Sequence, residues 1–242
     1  MQSDDQQSDD QQDPHRSTLA VLQQSALRLL RNAGILPIVT ADSVDQARAV
    51  AEALQRGGLH SIELTLRTPV ALAAIAALKR EFAELVVGAG TVLTPEQIDA
   101  ARQAGADFLV TPGTSASMRI ALANASLPVV PGAATASELL TLVEHGFRVA
   151  KLFPAAALGG IGMLKALHGP LPELMFCPTG GISEADAGDY LKQPNVACIG
   201  GSWMVPRAWL EAGEFNKVAA SAFKARAILD AARRDDRVDV SN

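Results

Sequence analysis

From Ser17 onward the chain alternates between two periodicities. Short apolar runs end at a Gly, Pro or Thr, and each is followed by an Ala/Leu-rich stretch with helical spacing. The runs predict eight strands: Ile35–Thr40, His60–Leu66, Val86–Val92, Phe108–Gly113, Pro128–Ala133, Arg148–Pro154, Leu174–Gly181 and Val196–Trp203. Helices are expected over roughly 43–57, 68–83, 94–104, 114–125, 135–145, 158–168 and 183–192. Another precedes the first strand, over 18–33, and a last one closes the chain over about 207–235.

Strands alternating with helices make parallel βαβ units, and eight of them in a chain of 242 residues predict an α/β fold, a (β/α)8 TIM barrel with an extra N-terminal helix. A doubly wound sheet is the main rival, but no Gly-x-Gly-x-x-Gly follows the first strand. Caps mark several helix starts: Ser43, Thr94 before Pro95, Ser183, and Thr135 with Glu138 in capping-box spacing.

Charge alters this picture only at the N-terminus. Residues 1–16 repeat Gln-Ser-Asp-Asp-Gln and carry five acids against one arginine, leaving the rest with 21 acids against 20 bases. The segment lacks the apolar residues that would offset ordering entropy, so it is expected to be a disordered acidic tail ahead of a single domain at 17–242. A near-neutral body with 4% aromatic residues gives no footing for nucleic acid. No apolar run is long enough to span a bilayer and no apolar signal core opens the chain. Cys177 and Cys198, each in an apolar run, are expected to be free thiols of a cytoplasmic protein.

Candidate chemistry begins at Lys151, in the run Arg148-Val149-Ala150-Lys151-Leu152-Phe153-Pro154. An ammonium buried there must be paired or give up its proton, and a neutral amine is a nucleophile that forms a Schiff base with a ketone. The competing explanations are a buried ion pair or a stem that snorkels to the surface. Alternation puts Val149, Lys151 and Phe153 on one strand face, with Ala150 and Leu152 on the other. The same rule sends Ile62, Leu64 and Leu66 toward the helices, and Ser61, Glu63, Thr65 and Arg67 into the barrel and its mouth. If both polar faces point inward, a carboxylate, a guanidinium and an amine converge. Glu63 and Arg67 could instead simply neutralise each other, although a guanidinium also suits a substrate carboxylate.

The remaining strand ends supply smaller groups. Thr91 follows Gly88-Ala89-Gly90, whose glycines either admit close backbone approach or relieve crowding. Pro112 and Pro131 terminate strands. Glycine pairs end the last two: Thr179-Gly180-Gly181 and Gly200-Gly201-Ser202. Barrels commonly bind phosphate with these two loops, because exposed backbone N–H groups gather there. The four histidines, His15, His60, His145 and His168, form no ligand spacing with acids, so no metal is expected.

Five strand ends in order carry a family resemblance: Ile62-Glu63-Leu64-Thr65-Leu66-Arg67-Thr68, Val87-Gly88-Ala89-Gly90-Thr91-Val92-Leu93, Lys151-Leu152-Phe153-Pro154-Ala155, Phe176-Cys177-Pro178-Thr179-Gly180-Gly181-Ile182-Ser183 and Cys198-Ile199-Gly200-Gly201-Ser202-Trp203. Over roughly residues 18–225 the chain resembles the 2-keto-3-deoxy-6-phosphogluconate (KDPG) and 4-hydroxy-2-oxoglutarate (KHG) aldolases, class I lyases of carbohydrate metabolism. The resemblance implies that Lys151 is the Schiff-base lysine and Glu63 the general acid/base, acting through a water. It implies that Arg67 and Thr91 hold the pyruvate carboxylate, that Pro112 and Phe153 line the pocket, and that Thr179 contacts substrate. Gly180, Gly181, Gly201 and Ser202 would bind the phosphate.

The resemblance also implies a homotrimer, no cofactor, and a phosphorylated keto acid and pyruvate as small-molecule partners. Arg67 favours the gluconate-type substrate, since the similar phosphogalactonate aldolases tend to have Asn there. Ala155 and Ala156 depart from the family, which often has Glu soon after the Phe-Pro. The expected reaction is retro-aldol cleavage of KDPG to pyruvate and glyceraldehyde 3-phosphate. The rivals are the same chemistry on another 2-keto-3-deoxy or 4-hydroxy-2-oxo acid, a non-catalytic phosphosugar-binding barrel, and a phosphosugar isomerase.

Overall fold

The computed structural model describes residues 14–239. Strands β1 (Ile35–Val39), β2 (Ser61–Thr65), β3 (Val86–Gly90), β4 (Phe108–Val110), β5 (Val129–Val130), β6 (Gly132–Ala133), β7 (Val149–Leu152), β8 (Met175–Phe176) and β9 (Ile199–Gly201) alternate with helices. These are α1 (Pro14–Ala33), α2 (Val44–Arg56), α3 (Ala71–Glu81), α4 (Pro95–Gln103), α5 (Ala116–Ala123), α6 (Ala136–Glu144), α7 (Ile161–His168), α8 (Ala187–Leu191), α9 (Arg207–Glu211) and α10 (Phe215–Asp239). The result is an α/β fold with a curled parallel sheet. One part runs β5-β4-β3-β2-β1-β9 and the other β6-β7-β8. Parallel bridges Phe176↔Val196 and Thr179↔Gly200, with Gly200 N–H donating to Pro178 O at 2.9 Å, connect β8 to the β9 segment.

Alternation sorts the side chains into two cores. Ile62, Leu64, Ala150 and Leu152 pack with Leu54, Ile75 and Leu78 of the surrounding helices. Val149 packs inward with Phe108, Val110, Val130 and Cys177. Helix α1 closes one end of this inner core with Ala26 and Leu30. Its buried Gln23 donates to Val129 O at 3.0 Å and accepts from the N–H groups of Arg148 and Val149 at 2.9 and 3.2 Å. These bonds satisfy strand-end backbone groups that burial would otherwise leave unpaired.

Four expectations change. The strand expected at Pro128–Ala133 is two short pieces, β5 and β6, divided at Pro131, which has no N–H for a ladder. The long closing helix is α9 and α10, separated at Gly213, whose φ of 68° breaks helical geometry. Ser183 does not cap a helix directly. Its hydroxyl donates to Asp186 Oδ2 at 2.6 Å, and α8 begins only at Ala187. The first 13 residues of the acidic tail lie outside the described residues, and α1 takes in Pro14–Arg16. The caps at Ser43, Thr94 and Thr135 form as expected, the last as a full capping box with Glu138. Among the described residues no helix is long and apolar enough to cross a membrane.

Candidate active site

Strand β2 carries Glu63 at its centre, in register with Ile38 of β1 and Gly88 of β3. Across the fold, β7 carries Lys151, in register with Gly132. Both side chains are removed from water, with relative exposures of 1% and 5%. Lys151 Nζ donates to Glu63 Oε1 at 3.3 Å, longer than the 2.7–2.9 Å typical of a charge-assisted bond. The amine also sits 5.4 Å from the centroid of the Phe153 ring. The pair is therefore held close but not clamped, and both groups line one cavity of about 570 Å³. A structural ion pair needs no such opening. An amine that must admit a ketone carbon does.

Glycines on β3 make room for the carboxylate. A Cβ at Gly90 would lie 2.1 Å from Glu63 Oε1, and one at Gly88 would lie 2.2 Å from the Phe108 ring. The first glycine thus shapes the site, and the second relieves crowding in the inner core. At the end of β3, Thr91 adopts φ 55°, an uncommon conformation for a β-branched residue. Its Oγ1 accepts from Arg67 Nε at 3.1 Å. Arg67 itself is exposed at the cavity, and neighbouring Thr68 is anchored by donating to Ala41 O at 2.8 Å.

The opposite wall is built from two turns. Gly180 and Gly181 take φ values of 97° and 77°, which a side chain would strain. The carbonyls of Thr179 and Gly180 accept from the N–H groups of Ala155 and Ala156 at 2.7 and 3.0 Å. A Cβ at Gly181 would lie 2.7 Å from the Ala156 methyl, so the two small residues fit together. Buried Thr179 is bridged to Gly200, whose successors Gly201 and Ser202 complete the wall.

Residues 27–221 match the family profile described as KDPG and KHG aldolase. The chain belongs to that family. It is 48% identical over 191 residues to the 2-dehydro-3-deoxy-phosphogluconate aldolase of Pseudomonas aeruginosa, covering 78% of this chain and 86% of that one. It is 41% identical over 201 residues to the KHG/KDPG aldolase of Escherichia coli K12, covering 83% and 94%. A crystal structure of the Legionella pneumophila KDPG aldolase, with pyruvate captured at low pH as a covalent carbinolamine intermediate, superposes with a TM-score of 0.80. Its identity is 40%, covering 83% of this chain and 97% of that one.

Of the residues that resemblance to the KDPG and KHG aldolases singled out, Glu63, Arg67, Lys151, Phe153, Thr179, Gly180, Gly181, Gly201 and Ser202 line the cavity together. Thr91 and Pro112 are not among its lining residues. Thr91 reaches the site through Arg67, while half-buried Pro112 lies in a loop held by Thr111 and Thr114, which bond the backbone of Gly132. Sequence reasoning missed Thr40, Asp42 and Arg207, which also line the cavity. Thr40 follows β1 directly and its hydroxyl bonds Thr65 Oγ1 at 2.7 Å, so the strand-end rule applied to β1 would have found it. Asp42 lies in the loop after β1 and Arg207 at the first residue of the short helix α9, where no periodicity points to them. Among the described residues no group of three or more His, Cys, Asp and Glu is arranged to hold a metal.

Proposed function

We propose that this protein is a class I aldolase that cleaves KDPG to pyruvate and glyceraldehyde 3-phosphate through a Schiff base on Lys151. The observation that carries the reading is an amine and a carboxylate buried 3.3 Å apart at an open cavity. Lys151 attacks the C2 ketone, and loss of water leaves an iminium. Glu63 takes the C4 hydroxyl proton, through a water, and the C3–C4 bond breaks. Its electron pair moves into the iminium, giving an enamine and the free aldehyde. Protonation at C3 by Glu63 and hydrolysis release pyruvate and the free amine.

Arg67, supported by Thr91, suits the substrate carboxylate, since a guanidinium grips it in bidentate fashion. Thr179 and Phe153 line the pocket, and Pro112 would bound it from the loop after β4. The turns at Gly180-Gly181 and Gly201-Ser202 suit the phosphate. The name of the Escherichia coli relative pairs KHG with KDPG, and the same keto-acid end would accept 4-hydroxy-2-oxoglutarate.

We further infer that the curled sheet is one closed (β/α)8 barrel in a single domain, with β5 and β6 acting as one strand and α1 as the extra helix. The exposed Leu93, Ile120 and Leu140, on successive βα units, support a homotrimer, and sedimentation at monomer mass would remove that reading. The unpaired buried thiols Cys177 and Cys198 support a reducing, cytoplasmic setting. Pyruvate release from KDPG, followed with a lactate dehydrogenase couple, tests the activity. Lys151→Met should abolish turnover with the fold intact, and full activity in that variant would sink the assignment.

A further inference from the structure

Among the described residues that line the cavity, the cations are Lys151, Arg67 and Arg207. The first two belong to the keto-acid end. Arg207 also lines the cavity, at the start of α9, a few residues beyond Gly201 and Ser202. Its side chain is 78% exposed, and its Nε donates to Glu211 Oε1 at 2.6 Å. Its Nη2 lies 3.8 Å from Oδ2 of Asp42, a cavity residue contributed by the loop after β1. Arg207 and Asp42 thus form a long, exposed ion pair between the start of α9 and the loop after β1, at the same cavity.

Exposed ion pairs of this kind contribute little net stability, so either partner is readily exchanged. A phosphate offers a guanidinium two parallel charge-assisted bonds, which a carboxylate 3.8 Å away does not supply. Once Arg207 turns to the phosphate, the carboxylate of Asp42 is left without it and repels the anion.

We propose that Arg207 is a substrate-specificity residue. It exchanges Asp42 for the distal phosphate of the keto-deoxy acid, and Asp42 competes with that phosphate. The inference rests on the aldolase reading above and deepens it. Arg67 selects the keto-acid end, and Arg207 selects for a dianion at the far end.

The two members of the pair should move binding in opposite directions. For Arg207→Ala, KM for KDPG should rise on the order of tenfold, with kcat within about twofold, because a charge-assisted contact to substrate is lost without touching the reacting atoms. Arg207→Lys should recover part of the loss. Asp42→Asn should lower KM, by about two- to threefold. Inorganic phosphate should inhibit the wild type competitively, with Ki weakened in Arg207→Ala by about the same tenfold factor. A shift in KM without a shift in the phosphate Ki would mean that Arg207 contacts another part of the substrate, and would overturn the proposal.

Trapping of pyruvate on Lys151 with borohydride separates the two levels of the argument. Normal trapping in every variant, with KM for Arg207→Ala within twofold of wild type, overturns the role of Arg207 and leaves the aldolase reading standing. Failure of the wild type to trap pyruvate overturns both.

Discussion

Replacing Gly90 with Ala tests whether the position of the Glu63 carboxylate matters to the chemistry. The new Cβ would lie 2.1 Å from Oε1, 2.5 Å from Cγ and 2.6 Å from Cδ of Glu63, all inside the 3.0 Å that real Cβ contacts respect. The side chain must therefore retreat by about 1 Å, and a displacement of that size costs on the order of 100-fold in rate. This corresponds to about 2.7 kcal/mol in the activation barrier. The lysine is untouched, so pyruvate should still be trapped on Lys151 by borohydride. Gly88→Ala is the matched control on the same strand, because its Cβ would meet the buried Phe108 ring at 2.2 Å and leave Glu63 alone. Overpacking there should cost about 2 kcal/mol of stability. In a chain of this size that lowers Tm by roughly 4–8 °C. Steady-state kinetics with the lactate dehydrogenase couple, beside thermal melts, separates the two effects. A near-normal kcat in Gly90→Ala, or an equal loss of kcat in folded Gly88→Ala, would refute the reasoning.

Two further outcomes follow from individual side chains. Backbone N–H donation from Ala134, with Thr135 adding to it, holds the Glu138 carboxyl below its usual 4.5. Its folded value is depressed, so the stabilisation is present above that pH and is lost as pH falls through the lower native value. Glu138→Gln keeps the capping-box acceptor and loses only the charge, so on this exposed side chain it should cost about 0.5 kcal/mol or less at neutral pH and flatten the acid limb of a Tm–pH curve, and an unchanged acid limb would contradict it. Burial pushes the Cys198 thiol well up, with the hydrogen bond its S–H donates to neighbouring Cys177 adding to the effect. Both cysteines should resist iodoacetamide in the native protein at mildly alkaline pH and react after unfolding in urea; rapid native labelling would contradict their burial.

Strand faces were legible in the sequence because alternation has a strict period and a buried face tolerates no slip. Val149 joins the inner core while Ala150 and Leu152 join the outer one, and this places Lys151 inward beside Glu63. The family motifs added what alternation cannot supply, namely which inward groups belong to one reaction. Other features depend on single residues overriding a local pattern. Pro131 splits a strand that reads as continuous, and Gly213 divides a helix whose composition stays helical on both sides. The reason for Gly90 was hidden as well. The crowding comes from Glu63, 27 residues earlier, and appears only once β2 and β3 lie side by side. The Asp42–Arg207 contact joins a loop and a helix start 165 residues apart, and no local signal marks either end.

Class I chemistry requires Lys151 to form a covalent imine, and mass spectrometry after incubation with pyruvate and sodium borohydride tests this directly. One adduct of reduced-pyruvate mass on the peptide carrying Lys151, absent from Lys151→Met, is the predicted result. No adduct on folded protein, or an adduct on another lysine, would contradict the account and make the buried Glu63–Lys151 pair a structural one.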